Sequence, residues 1–269
     1  MLNNITIGQY VPGNSIVHRC DPRLKILLTI VHMTTVFLLA NYVGFFIMAC
    51  FTAIIIIIAS IPISFILKGL KPMLLIIVFT AIFNVFFMQG SNILFQYGFV
   101  KITYEGIDMT IKLALRLILL VTGASVLTLT TSPIMLTDGI ESILSPLKVI
   151  KVPAHEIAMM MSIALRFIPT LLEETDKIIK AQTSRGADFD SGNILNRAKS
   201  FIPVLVPLFI SAFRRAEELA TAMEARCYRG SEGRTKLKVL KFKLLDYSVG
   251  AIMIAFCVGL ILLERLKLN

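Results

Sequence analysis

Residues 26–67, ILLTIVHMTTVFLLANYVGFFIMACFTAIIIIIASIPISFIL, run for 42 positions without an Asp, Glu, Lys or Arg. As one helix the stretch would be about 63 Å long, twice a hydrocarbon core of about 30 Å. It therefore has to fold back on itself. Asn41-Tyr42-Val43-Gly44 is the natural reversal, which gives a first span at about 25–40 and a second at about 43–60, with Pro62 ending the second.

Working outward, a second uncharged run at 72–100 supplies span three at about 72–89, followed by an external loop from Gln89-Gly90-Ser91-Asn92. Residues 117–137 supply span four, entered by a helix beginning near Gly106, and the 17 uncharged residues 247–263 supply the last. The composition agrees: 56% of the 269 residues are apolar and 16% charged, far from a soluble globular domain. Residues 1–134 hold 8 Lys/Arg and 3 Asp/Glu, while 135–269 hold 19 and 14. The first half is built for lipid, and the second contains a region built for water.

Orientation follows from the basic residues beside the spans. Arg19, Arg23 and Lys25 precede span one, Lys68 and Lys71 join spans two and three, and Lys148 and Lys151 follow span four. The cluster Arg234, Lys236, Lys238, Lys241, Lys243 precedes the last span. All of these belong in the cytoplasm, so the expected fold is all-α, with five transmembrane helices, the N-terminus inside and the C-terminus outside. Arg265 and Lys267 weigh against that outer end. Residues 1–18 are too polar for a signal peptide. The expected organisation is a cytoplasmic segment 1–24, spans one to four in 25–134, a cytoplasmic helical domain 135–233, and a basic linker with the last span in 234–269.

Two long helical patterns occupy the middle region. In the first, about 154–183, Ile157, Met161, Ala164, Ile168, Leu171, Ile178 and Gln182 follow the i+3/i+4 rule, with Glu156, Glu173, Glu174, Asp176, Lys177 and Lys180 largely on other faces. The second, about 193–228, has Ile194, Ala198, Phe201, Leu205, Leu208, Ala212, Leu219 and Met223 on one face, and Arg214, Arg215, Glu217, Glu218 and Glu224 near its end. Pro169, Pro203 and Pro207 should bend them. Ala154, Ala158 and Ser162, and Ala212, Ala216 and Ala220, form ladders at i+4 spacing that allow a close crossing or a partner helix, although ordinary packing produces such ladders too. Each helix closes on a similar signature, Ser184-Arg185-Gly186 and Ala225-Arg226-Cys227. Either alone is a C-cap with a cation at the negative end of the helix dipole. As a pair they offer two guanidinium prongs for a partner.

Several chemistries lack their residues. Cys20, Cys50, Cys227 and Cys257 stand apart, which argues against a disulfide framework or zinc knuckle and for a reducing compartment. His18, His32 and His155 are scattered, and His155-Glu156 lacks the second His of a zinc protease helix. There is no GxxxxGK[ST] phosphate loop. The 234–243 basic cluster is explained by the positive-inside rule and anionic lipid, which leaves no case for nucleic acid.

Gly8-Gln9-Tyr10-Val11-Pro12-Gly13-Asn14-Ser15, followed by His18-Arg19-Cys20-Asp21-Pro22-Arg23-Leu24-Lys25, resembles the N-terminal signature of the transmembrane T component of energy-coupling factor transporters, the EcfT/CbiQ family. The triplets at 184–186 and 225–227 are similar to that family's paired Ala-Arg-Gly motifs, within 222–230, AMEARCYRG; Ser184 stands for the first Ala and Cys227 for the second Gly. The resemblance covers essentially the whole chain. It implies that the two middle helices are coupling helices whose Arg185 and Arg226 tips dock on two ATP-binding cassette subunits. It also implies that their apolar surfaces hold a substrate-binding membrane S component for vitamins or other micronutrients, the shared vitamin type rather than the cobalt or nickel type. ATP and Mg would then be bound by the partners, with no cofactor, metal or catalysis in this chain. Asp21-Pro22-Arg23 also reads as a plain helix start, Asp21 capping and Pro22 first in the helix. Arg116 and Arg166 read as interhelical or interfacial partners. The competing classes are a membrane-embedded enzyme, for which Asp188 with Asp190, or Glu173, Glu174 and Asp176, form no DxxxD pair, and a self-sufficient secondary transporter, for which no internal repeat is visible.

Overall fold

The computed structural model describes residues 10–88, 92–97, 100–146, 153–189, 199–228, 230 and 240–266. The described elements are α1 (Ile16–Arg19), α2 (Pro22–Leu38), α3 (Tyr42–Ile58), α4 (Ile63–Phe87), β1 (Ile93–Tyr97), β2 (Val100–Thr103), α5 (Tyr104–Thr130), α6 (Pro133–Leu144), α7 (Ala154–Ser184), α8 (Ile202–Ala225) and α9 (Leu244–Leu266). The fold is all-α except for the small β1–β2 antiparallel hairpin, which occupies the expected loop between spans three and four. The chain divides into two compact units, one of Gly8–Gly139 with Leu240–Asn269, the other including Ile140–Val239. Among the described helices, α4, α5, α7 and α9 are long and apolar enough to cross a bilayer, and α3 is a shorter apolar helix.

Several boundaries differ from expectation. The helix α3 stops at Ile58, short of Pro62, because Ser60 takes the left-handed conformation (φ 53°) and the amides of Ser60 and Ile61 turn back onto the carbonyls of Ile57 and Ile56. Pro62 instead precedes α4, where a missing N–H costs nothing. Lys68 and Lys71 therefore lie within α4 rather than in a loop, and Pro72 sits inside the helix. At 25 residues α4 is about 37 Å long, so its lysine-bearing end reaches past the hydrocarbon. The fourth span ends at Thr130, not Thr137: Thr131 is extended and Pro133 opens the separate helix α6. The described part of the second middle helix is α8, Ile202–Ala225, with Pro203 in its first turn and Pro207 internal. Ile194 and Ala198, assigned to that helix, lie outside the described residues, as do Gly8, Gln9, Gln89, Gly90, Ser91, Lys148, Lys151, Asp190, Arg229, Arg234, Lys236, Lys238 and Lys267.

Within the first unit, α2, α3, α5 and α9 enclose a core of Val36, Leu39, Phe45, Met48, Leu119 and Leu260. Beside it Leu28, Met253 and Cys257 pack together, and Phe51 stacks on Phe256 at 3.9 Å between ring centres. Close approach is secured by two glycines. A Cβ on Gly123 would lie 2.5 Å from the His32 ring, which bonds the Leu119 carbonyl at 3.2 Å. One on Gly44 would lie 2.6 Å from a Glu264 oxygen. Glu264 in turn accepts the amides of Ala40 and Asn41 at 2.8 and 2.6 Å, so α9 holds the α2–α3 reversal.

Candidate functional site: the paired helix tips

Helix α7, in the unit that includes Ile140–Val239, carries Pro169 internally and ends at Ser184. Past that end, the amide of Gly186 donates to the Thr183 carbonyl and that of Ala187 to the Gln182 carbonyl, both at 3.0 Å, with Gly186 at φ +90°. At the end of α8 the amide of Cys227 donates to the Glu224 carbonyl at 2.8 Å and that of Tyr228 to the Met223 carbonyl at 3.0 Å, with Cys227 at φ +55°. These are two copies of one Schellman cap, in which a left-handed residue lets two amides satisfy the last carbonyls. Arg185 and Arg226 occupy the same cap position in both, at φ −89° and −93°. Ser184, Arg185, Gly186, Ala225, Arg226 and Cys227 are all exposed. Among the described residues neither guanidinium has an ion-pair partner. Each tip thus presents a bare cation at a helix C-terminus, where the dipole adds partial negative charge.

The small-residue ladders are placed differently. Ala154 and Ala158 are buried, so they are covered within the chain and closed to a partner helix, while Ser162 and Ala212 are half-buried and Ala216 and Ala220 exposed. The hydrogen bonds that join α7 to α8 do not run through the ladders. Glu174 accepts from Ser211 Oγ through one carboxylate oxygen and from Arg215 at 2.7 Å through the other. Gln182 donates to the Pro203 carbonyl at 3.4 Å. The helices therefore run antiparallel; on α7 the contact lies at Glu174 and Gln182, more than three turns past Ser162, while on α8 Ser211 and Arg215 adjoin Ala212 and Ala216. Glu174 read as one of three solvated carboxylates. The signal that could have found it is the Ser211/Arg215 pair, one turn apart and therefore on one side of α8.

The N-terminal signature is a folded staple. Asp21 caps α2 through the Arg23 amide at 2.9 Å, Pro22 opens the helix, and Arg23 lies over the Phe242 ring. The Asp21 amide donates to Asp246 at 2.8 Å, and Asp246 also accepts from the Lys243 amide at 2.7 Å, joining the starts of α2 and α9. Buried Lys25 spends its three protons on the His18 carbonyl, the Thr130 carbonyl and the Thr131 hydroxyl. His18 Nε2 donates to the Val11 carbonyl at 3.0 Å, so its Nδ1 accepts from the Ser15 hydroxyl at 2.7 Å. A cavity of about 120 Å³ lies behind this staple, walled by Leu24, Leu28, Val126 and Met253. Its polar liners Lys25 and His32 already serve backbone carbonyls. Arg116 reaches the Leu39 carbonyl at 2.8 Å, an interhelical partner as expected. Among the described residues no three of His, Cys, Asp and Glu gather as a metal site.

Comparison with known proteins adds the family. Residues 13–237 match the family model CbiQ, described as cobalt transport protein. The chain is 62% identical over 264 residues to a protein of Ruminiclostridium cellulolyticum, covering 98% of each chain. It is 49% identical over 249 residues to one of Bacillus subtilis, covering 93% of this chain and 94% of that one. It is 43% identical over 266 residues to one of Lactococcus lactis, covering 99% and 100%. All three relatives are named energy-coupling factor transporter transmembrane protein EcfT.

Proposed function

This chain belongs to the EcfT/CbiQ family, and from that premise we propose that it is the coupling component of an energy-coupling factor importer, linking two ATPase subunits to a substrate-binding membrane subunit. The observation that carries the proposal is the pair of matching caps at 182–187 and 223–228, each presenting an exposed arginine. One geometry built twice suits two like partners, which two homologous ATPases would be. Each arginine offers five donors in a fixed fork, suited to carboxylates or helix C-terminal carbonyls lining a groove.

The substrate-binding subunit would rest on apolar surface. Along α8, Ile202, Leu205, Val206, Phe209, Ile210 and Phe213 are exposed at i+3/i+4 spacing, a stripe that calls for lipid or a membrane protein. Exposed Ala216 and Ala220 extend it with small residues that admit a helix backbone. Because Ala154 and Ala158 are closed, the contact falls to α8 and to Ser162. ATP and Mg are bound by the ATPases, and this chain transmits motion without catalysing a reaction. Its helices lie in the cell membrane, with the tips in the cytoplasm and the cargo a vitamin or other micronutrient chosen by the substrate-binding subunit.

The test is Arg185→Glu together with Arg226→Glu in the tagged chain, purified gently from its membrane. The wild-type chain should bring down two ATPases and a small membrane protein. The double variant should retain membrane insertion and lose the ATPases. Unchanged ATPase recovery in the double variant would sink the docking assignment, and a stable wild-type chain without ATPases would favour a membrane-embedded enzyme or a secondary transporter.

A further inference from the structure

The contact between α7 and α8 is polar, local and centrally placed. Both oxygens of Glu174 are engaged from α8, one by Ser211 and one by Arg215, two residues a helical turn apart. The Arg215 and Glu174 side chains are 34% and 25% exposed, against 81% and 70% for the neighbouring Arg214–Glu218 pair at 3.8 Å, which stays on the surface of α8. A two-point grip on a half-shielded carboxylate fixes direction as well as distance, which a single exposed ion pair does not. Phe167, Arg214, Glu218 and Leu219 line a cleft beside Ser211 and Arg215.

Its position along the two helices is the second observation. Glu174 stands eleven residues before Arg185, and Arg215 stands eleven residues before Arg226. At 1.5 Å per residue both arms are about 16 Å long. Because the helices run antiparallel, the two arms leave the contact in opposite directions. Upstream of the grip, each helix carries an internal proline, Pro169 five residues before Glu174 and Pro207 four residues before Ser211. Those prolines weaken the helix on the far side of the contact and leave the arms toward the tips unbroken.

We propose that Glu174, Ser211 and Arg215 are the positioning residues of the lever pair, a clasp equidistant from the two tips that sets the angle between α7 and α8. This deepens the coupling reading and rests on it for its purpose, but the clasp itself is a property of this chain. A load on one tip then turns its helix about the clasp instead of sliding it, so the separation of Arg185 and Arg226 becomes the coordinate that a partner pair reads.

The experiment places spin labels at Ser184→Cys and Ala225→Cys in the full chain, with Cys50→Ser and Cys227→Ser removing the native exposed thiols, and measures the tip-to-tip distance distribution in nanodiscs. With the clasp intact the distribution should be single and narrow. Glu174→Ala should broaden it at least two-fold, and Glu174→Gln, which keeps an acceptor for Ser211, should give an intermediate width. The exchange Glu174→Arg with Arg215→Glu should restore the narrow distribution, which loss of bulk or helix propensity alone could not explain. A Glu174→Ala width equal to wild type, or a broadening that the exchange does not reverse, overturns the clasp. If Glu174→Ala does not fold, the Glu174→Gln variant and the exchange carry the same decision. The measurement uses this chain alone, so absent ATPases in the co-purification test would sink the coupling role without touching this result.

Discussion

At the scale of single residues, the two tips differ in one respect that matters energetically. Gly186 reaches φ +90° freely, whereas Cys227 holds φ +55° with a Cβ, a conformation that costs an L-residue about 1–2 kcal/mol. Glycine would relieve that strain at a cost of roughly 0.5–1 kcal/mol in unfolded-chain entropy. Cys227→Gly should therefore tighten the α8 cap by about 0.5–1 kcal/mol net, slowing exchange of the Tyr228 amide by about two- to five-fold. Gly186→Ala should have the opposite sign at the Ala187 amide. Hydrogen exchange on the purified chain reads both, and faster exchange at Tyr228 in Cys227→Gly would show that the thiol side chain itself holds the cap. The sequence already marked Cys227 as standing where a glycine is expected. It could not reveal that the backbone keeps the glycine geometry regardless, because a left-handed residue is imposed by the six residues of the cap together.

At the scale of elements, legibility tracked the range of the interaction. Apolar segments are local facts, and the helices α3, α4, α5 and α9 stand where hydropathy put them, while α2, the expected first span, is not among the described helices long and apolar enough to cross a bilayer. Their ends moved where a backbone choice intervened, at Ser60 and Thr131. The β1–β2 hairpin was not read from the sequence because its strands are short: Val100-Lys101-Ile102-Thr103 alternates apolar and polar over only four positions, and Ile93–Tyr97 opens on three apolar residues in a row. The clasp was invisible for another reason: Glu174 and its partners are separated by 37 and 41 residues, and a charged residue on a helix looks solvated until its partner is placed. The same holds for Asp246, which sits in the first turn of α9 and accepts the amides of Asp21 and Lys243 from a buried position. Asp246→Ala should strand the buried Asp21 amide and free the part-buried Lys243 amide, at a cost of about 1–3 kcal/mol, read as a lower melting temperature of the detergent-purified chain and faster proteolysis at the start of α2. Asp246→Asn keeps one acceptor and should lose about half as much. Equal melting temperatures for wild type and Asp246→Ala would mean that Arg23 on Phe242 and the Leu28–Met253 packing suffice to hold the two helix starts.

At the scale of the molecule, charge and thiol chemistry together make orientation measurable without adding a probe. In the orientation proposed from the basic residues beside the spans, the N-terminal ends of α2 and α9 and the two tips face the cytoplasm. Cys20 and Cys257 are buried, and burial together with the nearby Asp246 carboxylate pushes the Cys20 thiol up, away from the reactive thiolate. Cys50 is exposed but lies on α3 among Phe, Ile and Ala side chains, a face suited to lipid, where a charged maleimide does not reach. Cys227 is thus the thiol open to a membrane-impermeant maleimide, and it adjoins Arg226. In intact cells it should stay unlabelled, and after permeabilisation it should label, slowly while ATPases are docked and about ten-fold faster once they are stripped away. Rapid labelling in intact cells would put the α8 tip outside and reverse the orientation. Labelling after permeabilisation at one rate with and without ATPases would keep the orientation and move the docking site away from Arg226. The two failures separate because the first depends on the side of the membrane and the second on what covers the tip.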